Sequence, residues 1–481
     1  MAEGGGAASA DRSAGLGKTA AASQIVDLSE IIENQRLSGF ILRLVAVSWV
    51  VTFFDGFDMN GIAYAAPYLS TALHFDKLML GDIFSIGLAG TMIGGFGFGS
   101  LGDWIGRRPA IILATVTFGI LTAALAFAKT YEQFLVLRLL NGIAIGGMLP
   151  LCWALNIEYA PKRFRATIVT IIMIGYTLGF SFAGPVAIWF IPHFGWPSLF
   201  LFGAVGSFLA AILLYFTLPE SIRFLASKRR GTDIIAGIVR RIAPGVPVTL
   251  STQFILADEA EEGAERFRVG VLFEGELRWI TLLLWLAYAA SSLGIFFGAA
   301  WGPVVLESIG FTRTTAAVAA AANSIGGALG ALVLMRFTDN RGAISLSVMP
   351  AIAIPILLVC GLVPIHQAAF LALAFLSATL LGGTHFGLHS IAGIFYPSAY
   401  RGTGAGWATS VAKIGSIAGP LIGGFILSSH LPVRNVYALL AACPLVVAAC
   451  TLVLGRLHSR ILRRERATAE GTPLYATADP F

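Results

Sequence analysis

From Phe40 onward the chain is built of apolar stretches of about 20 residues, each long enough to cross the roughly 30 Å hydrocarbon layer of a bilayer. They fall near 41–66, 83–101, 109–128, 134–157, 166–190, 197–218, 279–300, 315–335, 344–363, 367–394, 402–428 and 433–455. In hydrocarbon every backbone N–H and C=O must find its partner within the protein, so spans of this length are expected to be helices. The expected fold is therefore an all-α integral membrane protein with twelve transmembrane helices. Composition agrees, since only 12% of the 481 residues are charged and 57% are hydrophobic. A soluble domain carries about twice that charge, roughly 25%. An ordinary cytosolic enzyme, a secreted disulfide scaffold and a disordered chain are all excluded.

The net charge of +6 does not form a basic helix face or an aromatic-studded groove, so no nucleic-acid partner is expected. Cys152, Cys360, Cys443 and Cys450 lie inside apolar stretches without a Cys-x-x-Cys pair, and read as small buried hydrophobes. Residues 1–36 are rich in Ala, Gly and Ser and read as a flexible tail. They show no short apolar run with a cleavage site, so no removable signal is expected. A polar stretch, 219–278, divides the spans six and six, giving halves at 37–218 and 279–456 and a second tail at 457–481.

Loop charge sets the expected topology. With the N-terminus inside, the short inner loops carry Arg107, Arg108, Lys162, Arg163, Arg165, Arg336, Arg341 and Arg401, against Lys77, Lys129, Arg313 and Arg434 outside. Basic residues favour the cytoplasmic face, so both termini are expected there, in what reads as a bacterial inner membrane.

The halves repeat. Pro161 to Thr167 and Pro397 to Thr403 both read P-x-x-x-R-small-T at an offset of 236 residues. Asp103 and Asp339 share that offset; Ala183-Gly184-Pro185 and Ala418-Gly419-Pro420 lie 235 apart, as do Leu42-Arg43 and Leu277-Arg278. Six spans separate equivalents, so the repeat is parallel, about an axis along the membrane normal. That architecture places a substrate site between halves near the midplane, and points to a transporter.

Charges within a bilayer are costly and are functional candidates. Four fall well inside the spans: Asp55, Asp58, Arg138 and Lys413. Asp55 and Asp58 lie i, i+3 on one helix face, and Asp55 stands about 21 Å along its helix. Paired carboxyl groups in a low-dielectric site suit the loading and release of a proton. The alternative is a structural ion pair with Arg138, which could equally tune a neighbouring carboxyl. Lys413, about 18 Å into the eleventh span, is read as a buried cation near His385 and His389 and beside Trp407. Together they could receive a flat organic anion. Interhelical hydrogen bonding is the plain alternative for the histidines. A metal site lacks a third ligand, and neither a metal nor a cofactor is expected. Between spans two and three, Gly102-Asp103-Trp-Ile-Gly106-Arg107-Arg108-Pro109 allows a tight turn and a charge latch on the inner face. Arg165 and Arg401 occupy the matching loops after spans four and ten. Topology-setting charge is the simpler reading of all of these.

The Gly102–Arg108 motif, the Arg138 helix with Gly142, Gly146 and Gly147, and the six-plus-six layout resemble the major facilitator superfamily. Asp55-Gly-x-Asp58, and Tyr396-Pro397 through Arg401-x-Thr403-Gly404-x-Gly406-Trp407 into Gly415–Pro420, resemble its aromatic acid:proton symporters. The resemblance implies uptake of a small aromatic carboxylate such as a hydroxybenzoate by alternating access, with Asp55 and Asp58 needed for transport. Three positions depart from it. Lys413 stands where an arginine is expected, and His385 and His389 where Gln and Asn are more usual. A lysine lacks the two-pronged grip of arginine, so the acid carried need not be a simple hydroxybenzoate. Sugar-acid symport and drug–proton antiport are the rival transport readings. An enzyme would need a nucleophile–base pair or metal cluster, and a sensor an output domain; neither is evident. A monomer is expected, with lipid, protons and a small organic anion as partners.

Overall fold

The computed structural model describes residues 25–35, 38–228, 231–248, 252–257, 269–275, 277–341, 346–396, 401–429 and 431–469. The N-terminal half contains α2 (Gly39–Leu73), α3 (Lys77–Ile105), α4 (Arg107–Leu125), α5 (Tyr131–Tyr159), α6 (Lys162–Phe194) and α7 (Pro197–Thr217). The C-terminal half contains α10 (Leu277–Ser308), α11 (Arg313–Arg341), α12 (Val348–Leu362), α13 (Gln367–Phe395), α14 (Arg401–Ser428), and α15 (Asn435–Leu440) continuing into α16 (Ala442–Ala469). Local chemistry fixes several starts. Asp76 accepts from Met79 N at 2.8 Å, and Thr130 with Gln133 forms a reciprocal capping box at the head of α5.

Among the described residues, eleven helices are long and apolar enough to cross a membrane. The ninth, α12, is not: its 15 residues rise only about 22 Å. The expected span 344–363 is therefore shortened at its start, where Leu346 and Ser347 form a 3-10 turn. The twelfth span is interrupted at Ala441 rather than continuous.

The repeat extends into the packing. A Cβ on Gly94 would stand 1.9 Å from Ile143 O, and one on Gly330 would stand 1.9 Å from Thr379 O. Gly179 meets Phe53 O and Gly415 meets Ala289 O in the same way, at 1.8 and 2.1 Å. The four contacts form two pairs: Gly94 with Ile143 recurs 236 residues later as Gly330 with Thr379, and Gly179 with Phe53 as Gly415 with Ala289. Small residues that let backbones touch are a main source of helix association where lipid supplies no hydrophobic drive. Gly94→Ala is accordingly expected to lower the detergent melting temperature and folded yield, a loss on the order of 1–3 kcal/mol from overpacking. Gly97→Ala, where nothing lies within 4 Å of the added carbon, should leave both unchanged.

The apolar core is continuous at one end and divided at the other. At the end opposite the termini one cluster joins Phe57, Leu69 and Phe84 to Phe297, Trp301, Ala317 and Leu427. Lys77 Nζ donates to Leu427 O at 2.9 Å and Ser85 Oγ to Ile417 O at 2.8 Å. Arg313 stacks over the Tyr68 ring at 4.5 Å. Toward the termini the cores separate into an N-terminal cluster around Phe118, Met148 and Tyr159 and a C-terminal one around Leu284, Tyr288 and Leu388.

The termini and central stretch differ from the expected linkers. Within the segment read as a flexible tail, Ile25–Asp27 forms β1 and Leu28–Asn34 forms α1. β1 pairs in parallel with β2 (Gln253–Ile255), Ile25 opposite Gln253. Asp27 Oδ1 accepts from Ser29 N and Ala257 N, at 2.9 and 3.3 Å. The 219–278 stretch carries α8 (Ile222–Ser227) and the amphipathic α9 (Thr232–Ile242), which buries Ile235, Ile238, Val239 and Ile242 in the N-terminal core beside Leu28 and Ile32. Farther on, a 3-10 turn at Val269–Phe273 gives Leu272 to the C-terminal core. The physical reason is apolar area: α1 and α9 each have a greasy stripe that only the foot of the N-terminal half can cover.

Candidate functional site

The intramembrane charges sort into two kinds. Asp58 Oδ2 lies 3.0 Å from Arg138 Nη1, with both side chains 3–4% exposed. Thr122 Oγ1 donates to Asp58 Oδ1 at 3.3 Å, and Asn141 Nδ2 donates to Thr122 at 2.7 Å. Gly87 leaves room for the guanidinium, since a Cβ there would sit 3.2 Å from Arg138 Nε and Nη2. This is a compensated pair, held by α2, α4 and α5 together.

Asp55, one turn earlier, is fully buried, and among the described residues neither of its carboxyl oxygens has a hydrogen-bond partner. A permanently ionised carboxylate so placed would be costly. The group is poised for a proton or a visiting donor. Between the aspartates, Gly56 brings α2 onto α6, where a Cβ would stand 2.1 Å from Tyr176 O. From the other half, the charge of Lys413 acts on Asp55. Lys413 is not the buried cation the sequence suggests: its side chain is exposed, as are Trp407 and His389. A cavity of about 30 Å³ between the halves is lined by Met59, Phe180, Phe296 and Pro420 and touched by Arg138, whose Nε is unpartnered.

The candidate substrate side chains are gathered by α10. Trp285 stacks on Trp407 with ring centres 6.2 Å apart, and Tyr288 stands edge-on to His389 at 5.0 Å. Ser291 Oγ lies 3.0 Å from His385 Nδ1, and the two histidine rings meet edge-on at 5.1 Å. Sequence reasoning missed this stripe. Its signal was the one-per-turn spacing of 285, 288 and 291, hidden because aromatic and hydroxyl residues raise no flag in an apolar span.

At the foot of the N-terminal half, Arg107 pairs with Asp103 at 2.7 Å and with Glu158 at 3.3 Å. Ser221 Oγ also donates to Glu158. The head of α4 is held by Glu220, whose Oε1 accepts from Arg108 N at 3.1 Å, as suits a carboxylate at a helix N-terminus. Gly106, at φ 109°, has Glu220 Oε2 where a Cβ would project, so glycine is required there. Gly102 has Leu151 in the corresponding place, at 2.5 Å. Arg108 Nη2 donates to Tyr215 O and Arg165 Nε to Ala160 O, at 2.7 and 3.2 Å. All these partners lie in the N-terminal half or at the start of the central stretch packed on it. Glu220 and Ser221 were not singled out by the sequence because they open a stretch that reads as linker. The side chain of Arg401 lies outside the described residues.

Comparison with known proteins agrees with this architecture. The profile of the Major Facilitator Superfamily matches residues 48–283 and again 280–476. A protein named gallate transporter, from Pseudomonas putida, is 30% identical over 446 residues, covering 92% of this chain and 98% of its own length. The 4-hydroxybenzoate transporter PcaK of Pseudomonas aeruginosa is also 30% identical, over 89% of this chain and 96% of its own. The inward-open structure of the xylose transporter XylE from E. coli superposes with a TM-score of 0.70 at 18% identity, covering 85% of this chain and 95% of that one. Half-by-half profile matches, full-length relatives and a shared twelve-helix plan place this chain in the Major Facilitator Superfamily of transporters.

Proposed function

We propose that the protein is a proton-coupled symporter that imports a small aromatic carboxylate by alternating access. The observation that carries this reading is Asp55, buried with both oxygens unpartnered among the described residues. Its supports are the aromatic and imidazole wall on α10, α13 and α14, and relatives named for gallate and 4-hydroxybenzoate. Asp55 carries the proton, while the Asp58–Arg138 pair fixes the helices around it. Lys413 receives the substrate carboxylate; Trp407, His385 and His389 face its ring. The Asp103–Arg107 and Glu158 contacts stay with the N-terminal half and form the inner gate. With both termini cytoplasmic, the closed end is external and the structure faces inward. A single chain contains the whole site, so a monomer suffices.

The coupling logic follows from charge. With the carboxyl of Asp55 ionised, its charge attracts the ammonium of Lys413 without a direct contact. A substrate carboxylate competes for the same ammonium, and a proton on Asp55 removes the competitor. Proton and anion thus bind best together.

Uptake of a panel of aromatic and sugar acids into proteoliposomes, with and without an imposed inward proton gradient, tests substrate class and coupling at once. Gradient-driven accumulation confined to aromatic acids is expected; uptake indifferent to the gradient would defeat the symport reading. Lys413→Ala should raise the KM for an aromatic acid by about tenfold or more, the size of one lost charge-assisted hydrogen bond. Binding of the corresponding neutral amide, measured by displacement, should change far less. Equal losses for both would reject a carboxylate contact.

A further inference from the structure

The residue that repeats Asp55 in the C-terminal half, 236 positions on, is Ser291. The first half places a carboxyl there; the second places a hydroxyl, 8% exposed and 3.0 Å from His385 Nδ1. His385 is half-buried. Among the described residues its ring has no other hydrogen bond, which leaves Nε2 for a visitor. Ser291 sits beside a cavity of about 10 Å³ that it lines with Gly294, Thr384 and Cys443. One turn earlier on the same stripe, Tyr288 is anchored through its hydroxyl to Leu388 O at 2.8 Å and braces His389 edge-on. The imidazoles are thus fixed from α10, one by a hydrogen bond and one by a ring contact.

A neutral imidazole has one donor and one acceptor nitrogen, and the bond made by one sets the role of the other. A serine hydroxyl fixes the plane of the ring without adding charge, so Nε2 presents a neutral polar contact. Such a contact suits a phenolic hydroxyl, which both donates and accepts. The carboxylate is left to Lys413, on a different helix. We propose that Ser291 is a positioning residue that holds His385 to read a hydrogen-bonding substituent on the ring of the transported acid. This rests on the aromatic-acid reading above and adds to it the basis of selection among such acids. A site built to hydrogen-bond a hydroxyl penalises the analogue lacking it, because its own polar group is then left unpaired.

The test compares uptake of 4-hydroxybenzoate and benzoate by wild type, Ser291→Ala, Ser291→Thr, His385→Phe and the Ser291→Ala/His385→Phe double variant in proteoliposomes. The wild type should favour the hydroxylated acid. Ser291→Ala should shrink that preference, read as the ratio of the two KM values, by about tenfold. Ser291→Thr, which keeps the hydroxyl, should restore it. In the His385→Phe background the serine substitution should have no further effect on the ratio, because Ser291 acts through that ring. A Ser291→Ala variant that raises both KM values equally, or that still lowers the ratio without His385, overturns the proposal. Should the wild type take up neither acid, the aromatic-acid reading itself fails and this assignment falls with it.

Discussion

Replacing Asp55 by Asn is expected to abolish uphill uptake while leaving a folded protein that still exchanges substrate down its gradient. Asn has nearly the shape of a protonated aspartic acid and carries no charge, so it mimics one state of the cycle and forbids the other. Because both carboxyl oxygens of Asp55 are buried without partners, the substitution breaks no hydrogen bond of the resting structure. Loss of accumulation with retained counterflow would therefore report on proton coupling rather than on folding. The measurement is protonophore-sensitive accumulation in proteoliposomes set against exchange in the same vesicles. Normal accumulation by the variant would remove Asp55 from the coupling mechanism.

The opposite outcome is expected at the neighbouring pair. Arg138→Met leaves Asp58 with a buried carboxylate whose only remaining hydrogen bond among the described residues is from Thr122, 3.3 Å away. Removing one member of a buried ion pair costs roughly 3–5 kcal/mol, much of it from the stranded charge. Against a marginal total stability of about 5–15 kcal/mol, that should collapse the folded yield and sharply lower the melting temperature in detergent. Converting Asp58 to Asn in the same chain removes the stranded charge and should recover most of the loss. If Arg138→Met alone folds as well as the wild type, the pair is not the structural fixture described here. The two aspartates lie one helical turn apart, yet one variant should fail in transport and the other in folding.

Much of this arrangement was legible in the residues. Apolar length gave the spans, and the offset between the two P-x-x-x-R-small-T loops gave the parallel repeat, which the glycine–carbonyl contacts carry into the packing. The four intramembrane charges could be named from the sequence, but not sorted. Whether Arg138 pairs with Asp55 or Asp58 depends on helix rotation and on Gly87, which sets how close the guanidinium lies to α3. The α10 stripe escaped notice because Ser291 is an ordinary residue in a membrane helix until His385 is brought to it. The β1–β2 pairing was illegible for another reason: each strand has three residues, too few for a period of two to stand out, and their partners are remote in sequence. α9 did show its stripe at Ile235, Ile238, Val239 and Ile242, but the charged residues around it made the whole stretch read as linker. Span nine is present but shorter than its hydropathy suggests, because the apolar run begins before the α-helix does at Val348.

The strand and helices that wrap the foot of the N-terminal half change what counts as a moving part. Residues 25–35, 222–228, 231–248 and 252–257 are packed against that half, while Val269–Phe273 is already packed on the other. The covalent leash between the halves then runs only from Ala257 to Val269. At about 3.3–3.6 Å per residue, it caps the separation of those two points at roughly 40 Å, whatever state the transporter visits.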